Sequence, residues 1–434
     1  MRGILDSRRI SDDAIVITGI GVVTGFGIGY DALCAGLVAE KSCVRRLDGD
    51  GANRCRVRKG AFLERFNPSD YENTTHFGRL ARGTQFSIMA TDEAIKQACV
   101  PRALASDSQV GLVFASTRVA LEKTQQFYGK ILDKGPRLVN PLVFQETVNN
   151  APASHICMRH GITGPSLTLT SGGTGGIQAL AIASQWLGRG KVKSVVVTAA
   201  DVADAPSQSA HGYARGHAPV ELGGIEESCP FDRRRNGYVL GEAAVSLVLE
   251  TWSSARNRGV DPRVALCGWG MAHDGCGPGR YHHDGLGMEA SIRAAMEMAS
   301  KGCGDIGWVL AGAQSSKVGD RSEARALRRV FSDRTPPVTA LKSAVGEVES
   351  ASAPLFIAAA VAAMRHEVLF RTLNHEEHDP DCELDLVKST RRAYVDTVLA
   401  NALWFGGGSA SVVVQRWDDG CARGPSTTNA ECSA

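Results

Sequence analysis

Short β-branched runs bounded by glycine dominate the apolar pattern of the chain. Residues 14–20 (AIVITGI) and 110–116 (VGLVFAS) predict buried strands, because continuous apolar runs of this length suit a sheet covered on both faces. Residues 166–170 (SLTLT) predict a third strand, which runs into a glycine-rich turn and then an apolar helix over 176–187. Strands follow at 194–199 (SVVVTA) and 243–250 (AAVSLVLE). The order then begins again. A strand opens at 264–267, another lies at 308–312 (WVLAG), and 320–331 (DRSEARALRRVF) is an amphipathic helix with Leu327 and Phe331 four apart on one face. A strand at 338–341, an apolar helix over 353–364 and a last strand at 411–415 (SVVVQ) complete the pattern.

Strands alternating with helices predict an α/β fold with buried sheets. The similar order of the two parts hints at an internal duplication, with one half over 1–255 and the other over 256–417. Residues 418–434 are polar and rich in Gly, Ser and Thr, and are expected to be a flexible tail.

Composition narrows the function classes. Of 434 residues, 43% are hydrophobic and 22% charged, which suits a large core. The 48 basic and 46 acidic residues nearly cancel, so neither nucleic acid nor an anionic membrane is an expected partner. Arg45-Arg46 and Arg233-Arg234-Arg235 read as solvated faces or local ion pairs, or as a patch for an acidic carrier protein. No apolar stretch is long enough to span a membrane, and the first residues lack an apolar signal core, so a cytoplasmic location is expected. The 12 cysteines are scattered without a CxxC pair and read as reduced, mostly buried small hydrophobes. His282-His283, and His375 with His378, lack the ligand company of a metal site and are expected at the surface. Neither metal nor cofactor is expected.

One segment carries candidate chemistry. Gly164 to Gly176 (GPSLTLTSGGTGG) reads as a strand, a sharp turn and a helix start. Backbone N–H groups at such a helix head stabilise an anion, which makes the elbow a natural seat for a thiolate nucleophile. Many such turns are structural only.

Four ordered motifs make the segment more specific. Val16 to Gly27 (VITGIGVVTGFG), Pro230-Phe231-Asp232-Arg233 through Asn236-Gly237-Tyr238-Val239-Leu240-Gly241-Glu242, Lys342-Ser343 with Gly346, and Asn401 with Phe405-Gly406-Gly407-Gly408 resemble, in order, the opening strand, the PFD…DGFVxGEG segment, the KSxxGH turn and the NSFGFGG ending of the β-ketoacyl synthase family. The resemblance covers about residues 14–417. It implies a thiolase-like duplicated fold of five αβαβα layers. It also implies a dimer and a chemistry in which one Cys carries an acyl group while two His assist malonyl decarboxylation and stabilise the developing oxyanion.

The departures from that pattern decide the expected function. Aligned on the elbow, the cysteine position falls on Gly173. The first histidine position falls on Gly312 and the second on Glu347, and only Lys342 is retained. Glycine has no nucleophile, and an ionised carboxylate has no hydrogen bond to donate. One loss would fit a point mutation; three do not. The chain therefore resembles the chain-length-factor branch, which pairs with a true ketosynthase and shapes the tunnel holding the polyketide built on an acyl carrier protein. Ser350 to Leu355 (SASAPL) fits that branch. The Gln usual there at the nucleophile position is absent, which makes a decarboxylase role for Gly173 doubtful. Glu347 is expected to fill the vacated site by pairing with Lys342.

By the same resemblance a helix over 120–132 presents Leu121, Thr124 and Tyr128 as tunnel gates, with Phe405 a further tunnel residue. Leu121, smaller than the Phe often found there, points to a longer or slimmer tunnel; the same three positions also fit an ordinary core stripe. The stretch 140–153 resembles the family's interface helix, and of the subgroup linked to polyene chains. Phe144, Thr147, Asn150 and His155 are the interface candidates. Two other readings stay open: a stand-alone decarboxylase, acyltransferase or hydrolase using Ser171 or Thr174, and a pure scaffold.

Overall fold

The computed structural model describes residues 13–47, 58–213 and 226–417. The tail expected over 418–434 lies outside the described residues. Ten strands form the continuous path of an eleven-stranded main sheet, whose remaining two-residue strand, Gly27–Ile28, pairs with the first off that path: β1 (Ile15–Thr24), β2 (Val110–Ala115), β3 (Ser166–Leu169), β4 (Ser194–Asp201), β5 (Ala243–Thr251), β6 (Val264–His273), β7 (Trp308–Leu310), β8 (Val338–Thr339), β9 (Thr397–Leu403) and β10 (Gly408–Arg416). Their spatial order is β8-β7-β9-β10-β6-β1-β5-β4-β2-β3.

The duplication is explicit in this order. Adding five to each label of β3-β2-β4-β5-β1 gives β8-β7-β9-β10-β6, the sequence of the other half read from its edge inward. Directions repeat as well. β2 is parallel to β3 and β4, and β7 to β8 and β9. The pairs β4/β5, β5/β1, β9/β10 and β10/β6 are antiparallel. The halves join at β1 and β6 through two residue pairs only, Ile15 with Leu266 and Val16 with Ala265.

Helices complete five layers. Arg82–Gln97 covers the outer face of β1, β5 and β4, while Leu286–Met298 covers β6 and β10 and packs on Lys317–Phe331. Between the half-sheets lie Gly175–Gly188 and Ser352–His366, each touching strands of both halves. Ser352–His366 is alanine-rich and apolar around its circumference, so it is helical by propensity and buried by necessity. Its Pro354 sits in the first turn, where a missing N–H costs nothing, and Arg365 and His366 complement the dipole at its end. Gly176 lets the two helices approach: a Cβ there would lie 2.5 Å from Pro354 Cδ. Each large apolar side chain buried in this layer, such as Phe356, stabilises the fold by roughly 1.5–3 kcal/mol.

Three expectations change. β9 carried no clear strand signal, because Asn401 interrupts its apolar run; the structure buries that amide against Glu323 and Ser411. The stretch 140–153 is not one helix but a short turn, Pro141–Phe144, followed by a separate helix, Ala151–His160, because Pro152 cannot continue a helix from before it. Of the nine described free cysteines only Cys43, Cys229 and Cys382 are fully buried, so burial is the minority case.

Candidate functional site

The elbow forms as the glycine pattern dictates. β3 ends at Leu169, a turn of 3-10 helix spans Gly172–Thr174, and the long helix Gly175–Gly188 begins at once. Gly172 takes φ +63°, a conformation glycine adopts freely. The turn is tied from the other half by Ser350, whose Oγ donates to the Gly172 carbonyl at 3.0 Å. Gly173 is buried against the end of β9, where a Cβ would lie 2.4 Å from the Leu403 carbonyl oxygen.

Gly312 faces the same strand end. A Cβ there would lie 3.1 Å from Leu403 N, and its own N–H donates to Glu323 Oε1 at 2.9 Å. Gly173 and Gly312, 139 positions apart by subtraction of their numbers, thus meet at one strand terminus. Glu347 lies in the turn after the short helix Lys342–Val345. Its Oε2 accepts from Lys342 Nζ at 2.7 Å, and its Oε1 accepts from Glu349 N–H at 2.8 Å and Ser352 Oγ at 3.4 Å. Lys342 and Glu347 are both buried, with side-chain exposures of 1% and 4%. Both of its oxygens are therefore taken as acceptors, by Lys342 on one side and by the turn and Ser352 on the other.

Several buried charges beside this pair escaped the sequence reading. Arg118 has 1% exposure, bonds Glu349 Oε2 through Nε at 2.9 Å, and reaches the carbonyls of Gly241 and Glu347 through Nη2. Asp201 accepts from Ser116 Oγ and the N–H groups of Thr117, Arg118 and Ser350. Burial first, and then the Glu349 charge, push Asp201 up to about 6. Only a charged residue directly after an apolar strand would have signalled either one. Trp404 had a clearer signal, because it stands where the quoted NSFGFGG ending has glycine.

Glu323 yields a pH prediction. Burial pushes its carboxyl from 4.5 up to about 7. The fold therefore favours the protonated form: the contribution is whole below about pH 4.5 and is lost as pH rises through about 7. Glu323→Gln is neutral at all pH and keeps an acceptor for Gly312 and Asn401. Its thermal midpoint is expected to match wild type at pH 5 and exceed it by at least about 2 °C at pH 8. A variant less stable than wild type at both pH values contradicts this account.

The gate and interface candidates gather on one surface. The helix Leu121–Lys134 segregates its apolar side chains strongly yet has none fully buried. Leu121 and Thr124 are half-buried, and Tyr128 is 58% exposed. The single hydrogen of Thr124 Oγ1 is shared between the Ala120 carbonyl at 2.9 Å and the Thr147 carbonyl at 3.2 Å, the second of which links this helix to the stretch before Asn150. Phe144 is 55% exposed and packs on Phe127, with ring centroids 5.4 Å apart. Asn150 is exposed and precedes Ala151–His160 without a side-chain capping bond, whereas His155 turns inward and bonds Glu146 at 2.6 Å. Phe405 lies apart, in the turn between β9 and β10, where its carbonyl accepts from Gly279 N–H at 2.5 Å. Of the sixteen exposed large apolar side chains among the described residues, eight fall between Tyr128 and Leu167, which marks this surface as unpartnered. β3 adds an outer edge with no pairing among the described residues.

The remaining candidates do less. Thr174 Oγ1 is committed to the Ser171 carbonyl at 3.0 Å and to Gln178, and no hydrogen bond joins it to a histidine among the described residues. Arg234 pairs with Asp232 and Glu376, and Arg235 with Asp379, so this cluster is largely spent on internal ion pairs. His283 is exposed beside Asp284, and no group of three or more potential metal ligands forms among the described residues. No helix among them is long and apolar enough to cross a membrane.

Comparison with known proteins agrees with this geometry. The profile "Beta-ketoacyl synthase, N-terminal domain" matches residues 12–255, and "Beta-ketoacyl synthase, C-terminal domain" matches residues 264–376. A putative polyketide beta-ketoacyl synthase 1 of Streptomyces halstedii is 30% identical over 94% of this chain and 98% of its own length. The tetracenomycin polyketide synthase ketoacyl synthase alpha subunit of Streptomyces glaucescens is 28% identical over 94% of this chain and 98% of its own. Among solved structures, the ishigamide ketosynthase/chain length factor superposes with a TM-score of 0.86 at 24% identity, covering 93% of this chain and 99% of that one. A beta-ketoacyl synthase from Burkholderia phymatum STM815 gives 0.85 at 26% identity with the same coverage. These likenesses agree with the thiolase-like architecture of the ten-stranded duplicated core.

Proposed function

The chain belongs to the beta-ketoacyl synthase family, and on that premise we propose that it is the non-catalytic, chain-length-factor subunit of a two-chain polyketide ketosynthase. One observation supports the reading: Glu347, which by resemblance stands at the family's second histidine position, is held in a buried ion pair with Lys342. Gly173 and Gly312 stand at the other two reactive positions, so the chain has neither a group to carry the acyl chain nor one to stabilise an enolate.

A catalytic ketosynthase is the proposed partner, docked on the surface of Phe144, Thr147, Asn150 and the open edge of β3, with His155 positioned behind it by Glu146. That subunit supplies the thiolate and both histidines and receives the acyl carrier protein with its polyketide. Leu121, Thr124 and Tyr128 then face the partner's tunnel and set where the chain stops; Phe405, which lies apart from them, is a further tunnel residue by resemblance alone. Support for this assignment is the helix that carries the first three: it is amphipathic and has no fully buried residue, so its apolar side is free for a second chain.

Co-expression with a ketosynthase that retains Cys and both His tests the proposal. Size exclusion should give a 1:1 heterodimer. That heterodimer should elongate malonyl units on the carrier protein, while this chain alone consumes no acyl thioester. Thioester turnover by the isolated chain would overturn the reading and direct attention to Ser171 and Thr174.

A further inference from the structure

The turn between β9 and β10 presents Trp404 to the elbow, and three glycines form its seat. A Cβ on Gly172 would lie 2.1 Å from Cε2 and 2.2 Å from Cδ2 of the indole. One on Gly173 would lie 2.4 Å from the Leu403 carbonyl oxygen and 3.5 Å from Trp404 Cε3, and one on Gly408 would lie 3.5 Å from Trp404 Cβ. The backbone that carries the indole is fixed in the turn, since the Trp404 main-chain N–H donates to the Gly408 carbonyl at 2.8 Å and its carbonyl accepts from Gly407 N–H at 2.9 Å. Non-bonded carbons settle roughly 3.5–4.0 Å apart, so a side chain at 172 and an indole at 404 exclude one another.

We infer that Trp404 is the stopper of this chain's own acyl pocket: it fills the space at the head of Gly175–Gly188 and denies that space to an acyl or malonyl group. The inference rests on the proposed non-catalytic role and extends it. Loss of a nucleophile removes chemistry but leaves a hole, which in a packed interior is costly and open to ligands. A ring seated in that hole removes binding as well. A substrate chain in the assembly is then held from the partner's side alone. Restoring Gly173→Cys by itself leaves the pocket closed.

Calorimetric titration of the full chain with a non-hydrolysable octanoyl amide of pantetheine tests this. Trp404→Gly is expected to bind the probe at least tenfold more tightly than wild type, with Trp404→Leu intermediate. If the folded variants bind no more tightly than wild type, the stopper is wrong. A second measurement covers a variant that folds poorly. Gly172→Ala should lower the thermal midpoint in wild type by clearly more than in the Trp404→Leu background; equal losses would overturn the seat. Thioester turnover by the isolated wild-type chain would instead sink the proposed function while leaving the probe comparison standing.

Discussion

Lys342→Met is expected to destabilise the chain by about 3–5 kcal/mol, the largest loss of any single substitution near the site. The physical reason is the asymmetry of a buried pair. With the ammonium gone, Glu347 Oε2 loses its 2.7 Å partner in a place water does not reach, while Oε1 keeps only Glu349 N–H and Ser352 Oγ. The double variant Lys342→Met/Glu347→Leu removes both charges and should recover most of the loss, because the desolvation cost of each ion disappears with it. Urea unfolding followed by circular dichroism measures all three proteins. Elongation by the heterodimer, normalised to folded subunit, should stay within about twofold of wild type, since the proposed role gives the pair no chemistry. A tenfold fall in turnover with the fold intact would mean that Lys342 acts on substrate.

Phe144→Asp should act in the opposite way, leaving the isolated chain intact and abolishing the assembly. The ring is 55% exposed and stacks at its edge on Phe127, so its removal leaves no enclosed cavity. At a partner interface, an aromatic anchor replaced by a carboxylate typically costs more than about 2.7 kcal/mol, or a hundredfold in Kd. The thermal midpoint of the free chain is expected to move by less than about 2 °C, while the 1:1 peak on size exclusion disappears at micromolar concentration. Undiminished heterodimer would move the interface off this surface. Thr168→Pro offers a control at the β3 edge, because a proline cannot donate to a strand added there.

Much of the fold is legible before any coordinates. The continuous apolar runs at β1, β2, β4 and β5 are long enough and bounded clearly enough by glycine to be read as buried strands, and the all-round apolar helix at Ser352–His366 admits no other placement than a layer between sheets. β9 stayed hidden because its middle residue, Asn401, is polar. A buried amide satisfied by Glu323 and Ser411 leaves no trace in a hydrophobicity pattern. The stretch 140–153 reads as one helix by resemblance alone, whereas Pro152 in the sequence marks the fresh start that the structure shows.

The site divides in the same way. Residue identity alone determined that positions 173, 312 and 347 hold no nucleophile and no imidazole, because chemistry absent from a side chain cannot be supplied by folding. The pairing of Glu347 with Lys342 was also readable, since they lie five residues apart around a glycine turn. What the tertiary structure alone decided is long-range. Gly173 and Gly312 meet at Leu403, Arg118 is locked to Glu349 and Asp201, and Trp404 is laid over Gly172. None of these contacts follows from local periodicity, because each joins segments more than eighty residues apart. Their meeting depends on the duplicated strand order, which brings the ends of β3 and β9 to one place between two shared helices.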